Sequence, residues 1–362
     1  MKTKKKIGFL LSVITERGGI GRVASLISNE LNKLEDFDVH IISYARKQIS
    51  GYNWSEDLSY HYLLESQIPM KIGIIKASNR LRSLVKHEKI DILICCGAIV
   101  GPLSVLGTCF TSSKLIYWSH SSFKGSSNKQ FRIFNEYFTA TFANSIVSLT
   151  KVDKANYKKH TLANQVFQIY NPVDNKLRVN NRPYNSTSSK IISVGRLTYQ
   201  KNFEGLIDVA AIVLSKNNNI SWDIYGSGED EEKLRKKIKE KGLEGRVILK
   251  GQTNKLYDLY NDYTIMVMTS RYEGFPMSLI EGLACQLPLI SYDIPTGPNE
   301  IIRHGKNGYL ITPFNIDEMA CKILYLIENP QIRVAFSNNN SKLIEEYNLD
   351  NIVKRWCELL NE

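Results

Sequence analysis

The sequence predicts an α/β protein of two domains, each a parallel sheet flanked by helices, and three features predict it. Short apolar runs of strand length alternate with amphipathic runs of helix length along most of the 362 residues. Parallel strands need crossover helices, so this alternation reads as strand, helix, strand throughout. Glycine-rich or polar turns follow several strand runs, at the carboxyl ends where open parallel sheets take ligands. The alternation also pauses over residues 175–190, a polar stretch rich in Asn, Ser and Arg with little to build a core, and then restarts. The length suits two such domains, with boundaries expected at 1–172 and 173–342 and a last helical stretch over 343–362.

Composition narrows the function classes. No apolar run reaches the twenty or so residues that span a bilayer. The first six residues are basic, but residues 7–14 are short and lead to Glu16 and Arg17 without a small-residue cleavage site, so they read as a first strand and not as a signal peptide. The six cysteines, Cys95, Cys96, Cys109, Cys285, Cys321 and Cys357, show no paired metal spacing and lie mostly in apolar runs. A reducing cytoplasm is the expected setting. The net charge of +11 is confined to one half: residues 1–172 hold 23 Lys and Arg against 12 Asp and Glu, the remainder 24 against 24. Such asymmetry points to an anionic partner for the first half alone. Nucleic acid would account for that charge but not for the phosphate-type loops and glutamates described next.

In chain order, residues 6–12 form a strand run followed by Gly18-Gly19-Ile20-Gly21-Arg22 and the helical set Val23, Leu26, Ile27 and Leu31. A glycine turn between strand and helix lets a ligand approach a helix N-terminus closely. The full dinucleotide fingerprint is missing, and the second strand run, 39–43, leads to Tyr44 and Arg46 without the acidic residue a dehydrogenase needs. Further strands are expected over 90–96, 114–118 and 145–149. His120 lies just past one of these ends, where an imidazole can donate a hydrogen bond to a sugar hydroxyl or a phosphate oxygen. Residues 71–89 carry six Lys and Arg around Ile72, Ile75, Leu81, Leu84 and Val85, and residues 123–138 set Phe123, Phe131, Phe134 and Phe138 among Lys124, Lys129 and Arg132. Two readings stay open for both segments: interfacial membrane helices, or surface helices packed on the sheet.

The second half restarts at 191–195 with a strand ending in Gly195. Arg196 and Lys201 flank the loop that follows, where a guanidinium and an ammonium can reach a diphosphate. Residues 221–225 end in Gly226-Ser227-Gly228-Glu229, and 247–250 in Gly251, against whose backbone a flat nucleobase can lie. The buried run 264–270 leads into Arg271-Tyr272-Glu273-Gly274-Phe275-Pro276-Met277-Ser278-Leu279-Ile280-Glu281. Pro276 suits the start of a helix, leaving residues 277–279 with free amides for an anion. Glu273 and Glu281 bracket that point, and carboxylates select hydroxyls. A ligand with phosphates in the middle and polyols at both ends fits.

Taken in order, these motifs resemble the retaining, nucleotide-sugar-dependent group 1 glycosyltransferases of the GT-B fold. The resemblance runs over nearly the whole chain: Gly18-Gly19 with Arg22, His120, Asn171-Pro172-Val173-Asp174, Gly195-Arg196 with Lys201, Gly226-Ser227-Gly228-Glu229, and Glu273 with Glu281. It implies two facing Rossmann-like domains with the active site in the interdomain cleft, the first on the acceptor and membrane side and the second binding the nucleotide sugar. The last helix would cross back to the first domain. It further implies Arg196 and Lys201 on the donor diphosphate, Glu281 on the ribose, and Glu273 on the transferred sugar with the backbone of Gly274, Phe275, Pro276 and Met277 assisting. His120 would line the acceptor side, and Gly19 would face the diphosphate. Gly195, Gly226 and Gly251 complete the donor set. No metal and no cofactor beyond the UDP-sugar substrate is implied. The segment Thr296-Gly297-Pro298 is similar to one in members that build bacterial surface polysaccharides, often from UDP-hexoses. The expectation is therefore a cytoplasmic enzyme, peripheral at the inner membrane face, passing a hexose or N-acetylhexosamine from a UDP-sugar to a lipid-linked or cell-surface glycan. A UDP-sugar epimerase of the same fold and a non-catalytic partner subunit stay open as alternatives.

Overall fold

A computed structural model of the chain describes residues 4–14, 18–46, 52, 54–123, 130–179, 183–253 and 255–362. Lys124 and Lys129, counted above among the cations of the second basic segment, lie outside the described residues. The chain divides into two units, Met1–Pro172 with Leu349–Glu362, and Val173–Asn348.

The first unit contains β1 (Lys5–Leu11), α1 (Gly19–Asn32), β2 (Phe37–Ala45), β3 (Ser59–Leu64), α2 (Met70–Glu88), β4 (Ile92–Cys96), α3 (Gly101–Thr108), β5 (Lys114–Trp118), α4 (Gln130–Phe142), β6 (Ser145–Ser148), α5 (Lys151–His160) and β7 (Val166–Gln168). The strands pair in the order β3-β2-β1-β4-β5-β6-β7, all parallel. Strand order reverses between β1 and β4, so the turns leaving those two strands diverge and open a crevice at their carboxyl ends. The second unit contains α6 (Asn175–Val179), β8 (Lys190–Val194), α7 (Phe203–Lys216), β9 (Ser221–Tyr225), α8 (Glu231–Glu240), β10 (Val247–Gly251), α9 (Leu256–Leu259), β11 (Ile265–Met268), α10 (Met277–Ala284), β12 (Leu289–Tyr292), α11 (Pro298–Ile301), β13 (Gly308–Ile311), α12 (Ile316–Glu328) and α13 (Pro330–Leu343). Its sheet runs β10-β9-β8-β11-β12-β13, again parallel, with the reversal between β8 and β11. Each unit is thus a Rossmann-like sheet.

The central strands β4 and β11 are continuously apolar because helices cover both faces. Ile191, Trp222, Ile224, Ile265, Val267 and Ile290 form one core with Leu206, Ile207, Val213, Met319 and Ile323 from the flanking helices. In the first unit the corresponding core joins Leu10, Ile42, Leu93, Leu115 and Ile146 to Leu81, Leu103 and Tyr157. Helix α14 (Leu349–Asn361) belongs to this first unit. It buries Ile352, Val353, Trp356, Leu359 and Leu360, one stripe at helical spacing. Trp356 meets Trp118 edge to face at 4.9 Å, and Lys5 donates to the Leu360 carbonyl at 2.6 Å.

Three sequence-based expectations change. The polar stretch 175–190, expected to separate the two domains, holds the helical turn α6 at its start. In the segment 123–138 the described helix is α4, from Gln130; Phe123 packs against Tyr157 at 4.9 Å, so it serves the core. Strands β3 and β13, each at a sheet edge, have no counterpart in the sequence reading.

Candidate active site

The reversal between β8 and β11 brings together two loops that are about seventy residues apart in the chain. After β8, Gly195 donates its amide to Tyr225 O at 3.0 Å, and Leu197 donates to Ser227 O at 3.0 Å. These bonds tie the β8 turn to the turn after β9. At Gly226 (φ 144°) a Cβ would lie 1.9 Å from the Gly195 carbonyl oxygen, so only glycine permits the two turns to meet. The close approach at Gly226 is therefore made by this chain's own backbone. Its amide continues the tie to Gly251 O at 2.9 Å, and Gly251 ends β10 at φ 70°.

The single turn Tyr199–Lys201 then aims Lys201 back over Gly195. A Cβ on Gly195 would come within 3.1 Å of the lysine chain, so the missing side chain is what lets that chain lie flat. Lys201 Nζ donates to Glu273 Oε1 at 2.6 Å, the two side chains being 17% and 7% exposed. A charge-assisted contact so shielded from water holds both groups in one geometry. Glu273 is held from behind as well. Thr296 Oγ1 donates to its carbonyl, and Gln200 Nε2 donates to Tyr272 O at 3.0 Å and reaches Glu273 Oε2 at 3.5 Å.

Arg271 fastens the two loops together. Its amide donates to Gln200 O at 2.8 Å, its Nη2 donates to Asn202 Oδ1 at 2.8 Å, and its guanidinium lies over the Tyr199 ring at 4.4 Å and the Phe314 ring at 5.4 Å. Thr269 Oγ1 adds a bond to Asn202 O at 3.0 Å. Arg271, Gln200, Asn202 and Thr296 had no assigned role from the sequence. Their work is hydrogen bonding across sequence-distant loops, which leaves no periodic signal.

Beyond Glu273, Gly274 and the buried Phe275 lead to Pro276, which caps α10 without a side-chain bond. Leu279 donates its amide to Pro276 O at 3.1 Å, which corrects the expectation of free amides over 277–279: among the described residues, Met277 and Ser278 alone are open there. Glu281, one turn further, is buried, and its Oε2 accepts a bond from Tyr260 Oη. Arg196 is exposed, and its guanidinium has no acidic partner among the described residues. The arrangement offers an anion two cations and two helix-start amides, with carboxylates on either side.

In the first unit, Gly19 is the first residue of α1, with Gly18 extended before it. His120 follows β5, its ring against Trp118 at 4.3 Å. Its Nε2 is buried with no protein partner among the described residues. Burial pushes its pKa from 6.5 down to about 3, so it is neutral at physiological pH and can donate from one nitrogen and accept at the other. Behind it, Glu136 Oε1 accepts from Tyr117 Oη at 2.9 Å, from Ser119 Oγ at 3.0 Å and from Tyr157 Oη.

Two family models match the chain: Glycosyltransferase Family 4 over residues 17–177 and Glycosyl transferases group 1 over residues 176–343. The chain is 29% identical to an uncharacterized glycosyltransferase of Haemophilus influenzae over 98% of its own length and all of the relative's. It is 30% identical to the poly(ribitol-phosphate) alpha-N-acetylglucosaminyltransferase of Staphylococcus aureus, over 93% of this chain and 71% of that protein. Among solved structures, a mutant of S. aureus TarM crystallised with fondaparinux, alpha-GlcNAc-glycerol and UDP superposes with TM-score 0.84 at 19% identity, covering 99% of this chain and 100% of that one.

Proposed function

Because this chain belongs to the group 1 glycosyltransferases, we propose that it transfers a hexose or N-acetylhexosamine from a UDP-sugar to a lipid-linked or cell-surface glycan, with retention of configuration and without an essential metal. The observation that carries the reading is the Lys201–Glu273 contact at the β8/β11 reversal, with Arg196 and the uncapped start of α10 beside it. In the reaction the bond between the anomeric carbon and the diphosphate oxygen breaks and an acceptor hydroxyl oxygen bonds that carbon, its proton leaving with the diphosphate, on which negative charge grows as the bond breaks. Arg196, Lys201 and the Met277 and Ser278 amides stabilise that charge, and the positions of Lys201 and the amides are set before reaction, which is where such stabilisation is largest. Glu273 holds hydroxyls of the transferred sugar, Glu281 those of the ribose, and Gly226 and Gly251 back the base. In the first unit, Gly19 leaves the start of α1 open to an anion, and neutral His120 offers a hydrogen bond to a sugar hydroxyl. UDP in the TarM crystal supports the choice of donor.

The protein works in the cytoplasm, peripheral at the inner membrane face. No helix among the described residues is long and apolar enough to cross a membrane. The support for surface attachment is the positive excess of residues 1–172 together with Ile72 and Ile75, which α2 holds 75% and 73% exposed.

The test is a thermal-shift and turnover screen with UDP-glucose, UDP-galactose, their N-acetyl forms and GDP-mannose as control, with and without membrane extract. Stabilisation by one UDP-sugar with UDP release only in the presence of extract is expected. Interconversion of the donor with no acceptor present identifies an epimerase, and binding of no sugar nucleotide by this chain refutes the assignment.

A further inference from the structure

The loop that carries His120 is tied at both ends to buried acids of neighbouring helices. Ser119, where the loop leaves β5, donates its amide to Val147 O on β6 at 2.9 Å and its hydroxyl to Glu136 Oε1 on α4 at 3.0 Å. Phe123, at the far end, donates its amide to Asp153 Oδ1 on α5 at 3.0 Å. Between these ties the His120 ring lies against Trp118, with its Nε2 unpartnered among the described residues. An open hydrogen-bonding group of this kind is useful to a ligand only if its direction is fixed.

Glu136 stands on the wrong face of its helix for an acid. Helix α4 buries Asn135, Glu136 and Thr139 and exposes Phe134 and Phe142, the reverse of what core packing selects. Glu136 is 5% exposed, and the groups that meet it are hydroxyls, those of Tyr117, Ser119 and Tyr157, which all converge on Oε1. A buried carboxylate without a cation is costly, and an apolar side chain of similar volume fills such a place at lower cost. What an apolar side chain cannot do is hold the Ser119 hydroxyl. We propose that Glu136 is a positioning residue, which fixes the Ser119 end of the loop and thereby the place and direction of the His120 ring. The proposal rests on the transferase reading for what that ring does in turnover, and on the bonds within the first unit for its geometry.

Burial is what lowers the His120 pKa to about 3, so titration of the ring reports its position. The test is an NMR pH titration, from pH 7.5 to 5, of the full chain carrying isotope-labelled histidine, with the His120 signals identified by their loss in His120→Gln. In the wild type the ring stays neutral throughout. Glu136→Met keeps the side-chain length and removes the acceptor oxygens, and the ring then titrates, its pKa returning toward 6.5. Ser119→Ala cuts the same tie from the loop side, with the same result, and carries the test should Glu136→Met fail to fold. Tyr117→Phe takes a bond from Glu136 without touching the loop; it lowers Tm and leaves the ring neutral, which separates positioning from stability. Turnover of the UDP-sugar selected by the screen, with membrane extract, falls about 10- to 100-fold in Glu136→Met and Ser119→Ala, while the affinity for UDP, assigned to the second unit, keeps its wild-type value. A ring that stays neutral in both variants, a ring released equally by Tyr117→Phe, or wild-type turnover with the ring released overturns the positioning role. A wild-type chain that turns over no sugar nucleotide, with the ring behaving as stated, sinks the transferase reading instead and leaves Glu136 holding the His120 loop.

Discussion

Replacing Lys201 by methionine keeps the length of the side chain and removes the ammonium 2.6 Å from Glu273 Oε1. Two costs follow, and they separate. The first is stability, because a carboxylate only 7% exposed loses its partner. Breaking a buried pair from one side costs about 3–5 kcal/mol; the 17% exposure of Lys201 admits some water and sets the expectation at the low end, about 3 kcal/mol. For a domain of this size that lowers Tm by roughly 6–12 °C. The second cost is turnover, as loss of one donor to the departing diphosphate slows transfer about 100- to 1,000-fold. Adding Glu273→Gln removes the stranded charge, so the double variant regains about 1–3 kcal/mol relative to the sum of the singles, while its turnover stays low. Urea denaturation of the four proteins gives the coupling, and UDP release under saturating donor gives the rates. A Lys201→Met variant as stable and as active as the wild type, or strictly additive stabilities, would refute the reasoning.

Other perturbations follow from single contacts. His120 titrates near 3 when folded and near 6.5 when unfolded, so the unfolded chain binds more protons between those values. Its burial therefore erodes stability as pH falls below about 6.5 and leaves it unaffected above. The Tm difference between His120→Gln and the wild type should shift in the variant's favour from pH 7.5 to pH 5, and a pH-independent difference counts against the buried neutral imidazole. Gly226→Ala sets a Cβ 1.9 Å from the Gly195 oxygen at a left-handed φ; a loss of about 1–3 kcal/mol and of UDP affinity is expected by denaturation and calorimetry, and wild-type values in both would show the turns to be movable. Trp356→Ala removes the ring that meets Trp118 edge to face and should cost about 3–5 kcal/mol, seen as early proteolysis of the C-terminal helix; resistance equal to the wild type contradicts the packing described.

The sequence by itself determined the alternation of strand and helix, the parallel sheets that alternation demands, and the turns that carry Lys201 and Glu273. Those are local properties: apolar runs, glycine positions and the chemistry of neighbouring side chains. Edge strands escaped it for a physical reason. In β3, four of six residues are only partly buried, so no continuous apolar run marks it. Strand β13 is short, and its Gly308 is required because a Cβ there would lie 2.0 Å from the Leu289 carbonyl oxygen, a constraint invisible without the neighbouring strand. The role of Phe123 likewise depended on a partner, Tyr157, more than thirty residues away. Only the tertiary structure decided that Lys201 and Glu273 touch and that Arg271 binds their two loops into one piece. Both depend on a strand-order reversal that juxtaposes loops distant in the chain, and bonds across such a gap leave no periodicity in a sequence.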